Sequence, residues 1–116
     1  MNRDIKHLRS IIQSCNEIEE AVLMFGADEE DYLSNKQYQN SCAFALLQIG
    51  EIVKRLSPDL ISSHPEIEWS DIAKFRDVLT HSYSKVELPA VWNVITEDVP
   101  SLKKECESIL TELTSK

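Results

Sequence analysis

The chain has 116 residues with only 2 glycines, 4 prolines and 7% aromatic residues, a composition that favours one all-α domain over a sheet-based fold. Its formal net charge of -8 argues against a surface that attracts nucleic acid everywhere, so a nucleic-acid site would need a local basic patch. The charged N-terminal region predicts neither a signal peptide nor a membrane span. We therefore expect a cytoplasmic protein without membrane contact.

Three cysteines, Cys15, Cys42 and Cys106, are far apart in the sequence and odd in number. They predict neither a disulfide framework nor a zinc site, and we expect them to be small buried hydrophobes. The Glu-x-x-His pairs of di-iron helical bundles are absent from the sequence. The sequence therefore predicts no metal site and no cofactor.

The first half of the chain predicts two helices. The first has an apolar stripe at steps of three or four and ends near Gly26; the stripe is Ile5, Leu8, Ile12, Cys15, Ile18, Val22 and Phe25. A polar stretch, "ADEEDYLSNK", follows, in which Ser34 or Asn35 would cap the second helix. The apolar stripe of the second helix is Cys42, Leu46, Ile49, Val53 and Leu56. Ser57 before Pro58 ends it.

The second half predicts a connector and two more helices. The connector, "SPDLISSHPEIEW" (57 to 69), has room for a turn or two of helix. A further helix begins near Trp69 or Ser70 and ends soon after Tyr83. The last helix has the strongest periodic pattern in the chain, formed by Leu88, Trp92, Ile95, Val99, Leu102, Cys106, Ile109 and Leu113. Pro100 lies inside this pattern and should kink the helix.

These elements predict that residues 1–116 form a single antiparallel bundle of four longer helices and a short one. The regular stripe of the last helix would also suit a coiled-coil dimer. Packing of the same stripe inside the bundle is the simpler interpretation. No internal repeat, linker or low-complexity segment interrupts the sequence.

The segment "FRDVLTHSYSKV" (75 to 86) crowds unusual polar residues onto one predicted helix. At about 100° per residue, one arc is predicted to face the core and contains Ile72, Phe75, Val78 and Leu79. The opposite arc contains Arg76, Asp77, Thr80, His81 and Tyr83. The simplest interpretation of such a polar face is solvation.

The angular positions of Arg76 and His81 limit what one helix can do. They lie about 140° apart around the axis, so a straight helix would not bring both side chains onto one small group. Either the helix loosens near His81, or a second copy of the chain faces the first and shares one cleft.

Residues 76–83, "RDVLTHSY", have the form R-x-x-x-x-H-x-Y, which resembles the signature of the HEPN superfamily. They resemble in particular the HEPN toxins encoded beside minimal nucleotidyltransferase antitoxins. Three further segments are similar to the pattern of that family, in the same order and at similar spacing: "LQIGEIVKRL" (47 to 56), "HPEIEW" (64 to 69) and "EDVPSLKKECESI" (97 to 109). The resemblance spans essentially the whole chain.

The resemblance implies a bundle of four or five helices, a homodimer with the motif at its interface, and a metal-independent endoribonuclease that acts as a toxin on RNA. Arg76 and His81 would be catalytic, and Tyr83 would accept AMP from the partner nucleotidyltransferase. Asp77 would be the polar residue after the arginine, where the family usually has asparagine. An aspartate adds negative charge beside a phosphate, but it would hold His81 protonated by a hydrogen bond.

Other residues near the motif are candidates for supporting roles. Glu51 would either orient Arg76 or remain a solvated carboxylate, Thr80 lies within the motif, and Gly50 indicates a close contact between helices. A local basic patch would draw on Lys54, Arg55, Lys74 and Lys85. Two alternatives to the nuclease remain: a catalytically silent HEPN module that docks a nucleotidyltransferase or binds a nucleotide, and a plain interaction bundle.

Overall fold

Four long helical segments pack around a common apolar core in the computed structural model, which describes residues 2–115. The elements in chain order are α1 (Asn2–Phe25), α2 (Glu29–Leu33), α3 (Lys36–Val53), α4 (Pro58–Ser63), α5 (Trp69–Ser82), a 3-10 turn (Tyr83–Lys85), α6 (Leu88–Asn93), a π-helical turn (Val94–Asp98) and α7 (Val99–Thr114). The last three form one continuous helical segment. No strand occurs within residues 2–115, so the predicted all-α bundle is confirmed.

The end of α1 and the starts of α3 and α4 follow the local sequence signals, but α3 ends at Val53, before the end predicted at Ser57. Gly26 has a φ of 126°, a conformation that favours glycine, and it ends α1 as predicted. Asn35 is the residue that caps α3, because its Oδ1 accepts a hydrogen bond from the backbone N–H of Tyr38 at 3.1 Å. Ser57 caps α4 in the same way, with Oγ accepting from the N–H of Leu60 at 3.2 Å. The predicted connector therefore contains one short helix.

The short helix α2 was not predicted from the polar stretch that contains it. Its one buried side chain, Tyr32, lies 5.2 Å from Tyr38 and 5.4 Å from Trp92 between ring centroids. Aromatic pairs at this separation stabilise beyond the area they bury. Contact with the distant Trp92 helps to bury Tyr32 and stabilises α2, and this contact cannot be predicted from the local sequence.

The long helices are antiparallel neighbours. Helix α1 packs between α3 and α7, and α3 packs against α5. At one end of the bundle the buried carboxylate of Asp4 accepts two hydrogen bonds from Ser57, from the backbone N–H at 2.9 Å and the hydroxyl at 2.6 Å. Further along, Lys103 Nζ donates to Glu19 Oε1 at 2.8 Å. These contacts fix the beginning of α1 against the α3–α4 connection and its second half against α7.

The predicted core stripes are largely confirmed. All five stripe residues after the polar stretch, from Cys42 to Leu56, are buried, as are the central six of the last helix, from Trp92 to Ile109. The three cysteines are free and buried, and burial raises the pKa of each thiol to about 12. They are therefore packing groups rather than nucleophiles at neutral pH.

The predicted core face of α5 is wrong at Val78. Leu79 is buried and Ile72 is half-buried, but Val78 is 48% exposed. The helical period predicts Arg76 on the outer face, but its side chain is directed towards α3. At Gly50 the side of α5 that meets α3 contains Ile72 and Arg76. Helical periodicity gives the positions of side chains around the axis relative to one another. Which side of the helix becomes the interface depends on the helix that packs against it.

Near Pro100, where the sequence predicts a kink, the helical segment contains a π-helical turn. This turn, Val94–Asp98, precedes Pro100, which is the second residue of α7. Proline removes a backbone donor and crowds the carbonyl four residues earlier. A wider helical turn at that place accommodates the ring, and the helical segment continues on both sides of it.

Gly50 brings α3 and α5 close together beside the motif. A Cβ atom at position 50 would overlap Arg76 Cβ and would lie only 2.7 Å from Arg76 Cγ. No larger residue fits there while Arg76 keeps its place. The close helix contact expected at Gly50 is confirmed, and its partner is the arginine of the motif.

We predict that Gly50→Ala destabilises the protein by about 1–3 kcal/mol, the usual cost of overpacking, although the same change in an open helix interior stabilises by roughly 1 kcal/mol. Unfolding in urea measures the difference. In an Arg76→Gly background the overlapping atoms are gone, so the cost of Gly50→Ala should largely disappear. An equal cost in both backgrounds would show that the overlap with Arg76 is not its cause.

Candidate active site

Arg76 extends from the middle of α5 across the last turns of α3. Its side chain is 27% exposed, and Nη2 lies 3.3 Å from Glu51 Oε1 while Nη1 lies 3.4 Å from Asp77 Oδ1. Two carboxylates from two helices therefore flank the guanidinium. Of the two interpretations of Glu51, the one in which it orients Arg76 matches this geometry.

One nitrogen of the guanidinium lacks a partner. Arg76 Nε is buried and makes no hydrogen bond within residues 2–115. An unsatisfied buried donor costs on the order of 1–3 kcal/mol. A shorter or apolar side chain would avoid this cost, so the position is poorly explained by stability alone. The arrangement favours a role in binding an anion at the exposed end of the guanidinium.

Asp77 is held by Lys54 rather than by His81. Lys54 Nζ donates to Asp77 Oδ1 at 2.7 Å, and the expected hydrogen bond between Asp77 and His81 is not formed in the structure of residues 2–115. The pKa of the Asp77 carboxyl is lowered, first by the Lys54 hydrogen bond and also by the neighbouring Arg76. Asp77 is therefore ionised at neutral pH, and a lysine offsets its charge.

His81 lies in the last turn of α5, exposed to solvent. Within the described chain it makes no hydrogen bond or ion pair. Helix α5 continues to Ser82, so the loosening near His81 that would bring it towards Arg76 on the same chain is not observed. Thr80 does not reach the guanidinium, because its hydroxyl donates to the backbone carbonyl of Arg76 at 3.0 Å.

Tyr83 lies where α5 ends, as predicted. It is the first residue of the 3-10 turn, it is partly exposed, and its hydroxyl donates to Asn40 Oδ1 on α3 at 3.3 Å. Asn40 was not identified from the sequence. No local signal marks it, because its contact with Tyr83 depends on the antiparallel pairing of α3 with α5.

The predicted basic patch is partly neutralised. Lys54 pairs with Asp77, and Arg55 Nη2 lies 3.7 Å from Glu51 Oε2. With Arg76, this cluster contains three cations and two carboxylates, which leaves one positive charge in excess. Lys74 on α5 and Lys85 in the 3-10 turn are exposed nearby in sequence. The surface around the motif is therefore less acidic than the chain as a whole.

We predict that replacing Lys54 with methionine raises the pKa of the Asp77 carboxyl towards its ordinary value, because the main cause of the lowered pKa is lost. Carboxyl chemical shifts followed by NMR against pH measure it. The stability contributed by a carboxylate with a lowered pKa is present at neutral pH and is lost as pH falls through that pKa. Arg55→Met, a matched control beside Lys54, should leave Asp77 nearly unchanged. A pKa of Asp77 that does not respond to Lys54→Met would contradict this assignment.

The described residues contain neither a cluster that could bind a metal ion nor a helix that could span a membrane. Within residues 2–115 no three His, Cys, Asp or Glu side chains form a group that could hold a metal ion. None of the helices described combines the length and apolar composition that crossing a bilayer requires. The available chemistry is that of a half-buried guanidinium, an exposed imidazole and an exposed phenol.

Comparison with known proteins places the chain in a family. The model of the family "Ribonuclease HepT-like" matches residues 5–109. A protein of Thermococcus cleftensis named "Probable ribonuclease HepT" is 40% identical over 80 residues, which are 69% of this chain and 73% of the relative. A Methanocaldococcus jannaschii protein named "Putative RNase" is 30% identical over 108 residues, 92% of this chain and 97% of the relative.

A second protein of Methanocaldococcus jannaschii, named "Gamma-glutamylcyclotransferase and putative RNase", is 32% identical over 114 residues. The match covers 97% of this chain and 50% of that relative, so the chain spans half its length. No solved structure matches the chain. The match of the family model over residues 5–109, with the 40% identity to a HepT relative, shows that the chain belongs to the HepT-like ribonuclease family of HEPN domains.

Proposed function

We propose that this ribonuclease cleaves RNA internally, without a metal ion, by attack of a ribose 2′-hydroxyl on the adjacent phosphorus. The observation that carries the proposal is the flanked, half-buried guanidinium of Arg76, followed five residues later by the exposed imidazole of His81. RNA contains its own nucleophile. The enzyme needs to supply a base, an acid and a cation for the charge that develops on phosphorus.

The roles follow from the chemistry of each side chain. The guanidinium of Arg76 binds the phosphate and stabilises the additional negative charge of the transition state. Imidazole can accept a proton or donate one, so His81 takes the proton from the 2′-hydroxyl or gives one to the leaving 5′-oxygen. Asp77 and Glu51 hold Arg76 in place before RNA binds, and Lys54 offsets the charge that Asp77 would otherwise present to the phosphate.

A homodimer would bring the catalytic groups together. Helix α5 is uninterrupted from Arg76 to His81, and about 140° separates them around its axis, so one chain does not direct both at one phosphorus. Two large apolar side chains are exposed beside the motif: Phe44, 61% exposed and one turn along α3 from Asn40, and Val78, 48% exposed. Burial of these residues against a second copy, with Arg76 of one chain facing His81 of the other, would build the cleft.

The family resemblance adds a physiological role. In this proposal the chain is the toxin of a toxin–antitoxin pair, and its antitoxin is a minimal nucleotidyltransferase. The antitoxin attaches AMP to Tyr83: the phenol oxygen bonds to the α-phosphorus of ATP, the bond to pyrophosphate breaks, and the phenol proton goes to solvent. The added phosphate lies on the side chain that contacts Asn40, where its negative charge competes with RNA for the nearby cations.

One observation favours the alternative of a catalytically silent HEPN module. Both terminal nitrogens of Arg76 already face carboxylates, at 3.3 and 3.4 Å, so an RNA phosphate must compete with them. A silent module would still dock the nucleotidyltransferase or hold a nucleotide. RNA cleavage by the purified chain separates the two functions, because only the nuclease shows it.

We predict that His81→Ala lowers the cleavage rate by roughly 10²–10⁴-fold, the usual contribution of a general acid or base. Arg76→Lys keeps the charge but loses the planar fork, and it should also be strongly impaired. Lys104→Ala removes an exposed cation on α7, outside the predicted basic patch, and is the control that should cleave nearly normally. Cleavage should persist in EDTA and leave 2′,3′-cyclic phosphate ends. An active His81→Ala protein, or strict dependence on magnesium, would refute the mechanism.

Mixed dimers extend this test to the shared cleft. Chains carrying only Arg76→Ala, mixed with chains carrying only His81→Ala, should regain part of the activity, because one of the two clefts would then contain neither substitution. Sedimentation of the same samples reports the dimer. A fully active monomer would contradict the shared cleft without affecting the assigned roles of the two residues.

We predict that co-expression with a minimal nucleotidyltransferase encoded beside the chain adds one or more AMP groups to Tyr83, seen as a mass increase of the intact protein. Tyr83→Phe should escape both the modification and the neutralisation while remaining toxic, because only the acceptor oxygen is removed. Tyr32→Phe, which removes a buried phenol, is a control that should still be modified. An unchanged mass with an active partner, or a modified Tyr83→Phe protein, would contradict the assignment.

A further inference from the structure

A second surface of the bundle, away from the motif, is an open groove with an apolar floor. It lies between the middle of α3, the α4–α5 connection, the first half of α5, and the π-helical turn with the start of α7, and its volume is about 590 Å³. Ile72, Phe75 and Val94 are half-buried residues of its floor, so they still present apolar surface to a ligand. A volume of this size suits a ligand that inserts apolar side chains.

The rim of this groove is acidic. Five carboxylates contribute to its lining and no lysine or arginine does; they are Glu66, Glu68, Asp71, Asp98 and Glu105. Only Glu66 has an ion-pair partner among the residues that the structure describes, His64 Nδ1 at 3.4 Å. The carboxylates come from separate elements on both sides of the floor. Such a rim repels RNA and anionic lipid, and it attracts a ligand that carries several positive charges at separate positions.

The π-helical turn forms one wall of the groove. Val94 and Asp98, the first and last residues of that turn, both line it, one contributing to the floor and the other to the rim. Pro100 follows within two residues and accounts for the irregular turn sterically. Turns of this kind occur often at functional sites. Here the turn places an apolar and an acidic side chain on the same wall.

We propose that this groove binds a basic amphipathic helical segment of a partner protein, with apolar side chains on the floor and lysines or arginines opposite the rim. Helices bind grooves through anchors spaced by three or four residues. A metal ion does not fit, because within residues 2–115 the carboxylates form no cluster that could hold one. A polyamine would satisfy the rim but would leave the apolar floor exposed to water.

The groove and the motif occupy different stretches of α5, the groove its first half and the motif its second half. Asp71, Ile72 and Phe75 line the groove, whereas Asp77, His81 and Tyr83 do not. A segment in the groove therefore leaves the motif accessible. The two surfaces also differ in charge, since the groove lining has no lysine or arginine and the cluster around Arg76 has one positive charge in excess. This inference does not depend on the proposed cleavage reaction.

The test is fluorescence anisotropy of a dye-labelled amphipathic helical peptide of leucine and lysine, about 18 residues long, added to the full chain. We expect saturable binding that Glu105→Lys and Glu68→Lys each weaken by at least about tenfold through like-charge repulsion. Glu112→Lys on α7, outside the groove, changes the net charge equally and should weaken binding by less than about twofold, since distant charges are screened. Glu105→Gln, a milder change that preserves the fold, should weaken binding to an intermediate degree.

Further outcomes decide against the proposal. The absence of saturable binding would contradict the proposal. Equal losses of affinity with Glu105→Lys and Glu112→Lys would show that binding depends only on the overall charge of the chain. Equal binding of a scrambled peptide of the same composition would show that the apolar floor does not contribute to binding. Saturable binding of a dye-labelled RNA oligonucleotide to the chain, changed by Glu105→Lys but not by Glu112→Lys, would identify the groove as an RNA site. A dimer in sedimentation that Glu105→Lys dissociates would make the occupant a second copy of this chain.

Discussion

The close approach of α3 to α5 at Gly50 is the constraint on which the candidate site depends. Because position 50 has no side chain, the aliphatic part of Arg76 lies directly against the backbone of α3. The guanidinium then reaches Glu51, one residue further along α3, and Asp77 on its own helix. The same approach allows Lys54, at the end of α3, to reach Asp77. One glycine thereby determines which charged groups surround the arginine.

The candidate site lowers the stability of the folded chain. A buried donor without a partner destabilises the folded chain, and the ion pairs around it are partly exposed and contribute little. Stability must come from elsewhere, and the apolar stripes of α1, α3 and α7 together with the Tyr32, Tyr38 and Trp92 cluster supply it. Anion binding by Arg76, as proposed above, would explain why a residue that is costly to the fold occupies position 76.

Much of the fold could be predicted from the sequence because it depends on local periodicity. The stripes of the long helices, the stop at Gly26, the cap at Asn35 and the end of α5 near Tyr83 are properties of neighbouring residues. Helix α2 could not be predicted, since it depends on contacts of Tyr32 with residues distant in sequence.

The orientation of α5 could not be predicted either. Periodicity predicts that Arg76 and Val78 lie on different sides of α5. That Arg76 contacts α3 and Val78 is exposed to solvent depends on how α5 packs against α3. The sequence identified Arg76, Asp77, His81 and Tyr83 as candidates through their resemblance to a family motif. Their partners Lys54 and Asn40 come from another helix, so their contacts require the three-dimensional arrangement.

The geometry of α5 has a consequence for how a single chain can act. Arg76 is fixed by contacts with α3, and His81 lies beyond it on a regular helix, roughly 7.5 Å further along at 1.5 Å per residue and on a different side. Moving His81 towards Arg76 would unwind the last turn of α5 and separate Tyr83 from Asn40. Bringing a second chain to Phe44 and Val78 leaves the helix intact and removes exposed apolar surface from water. In the proposed mechanism, completion of the cleft by association would keep the contacts of α5, whereas rearrangement within one chain would break them.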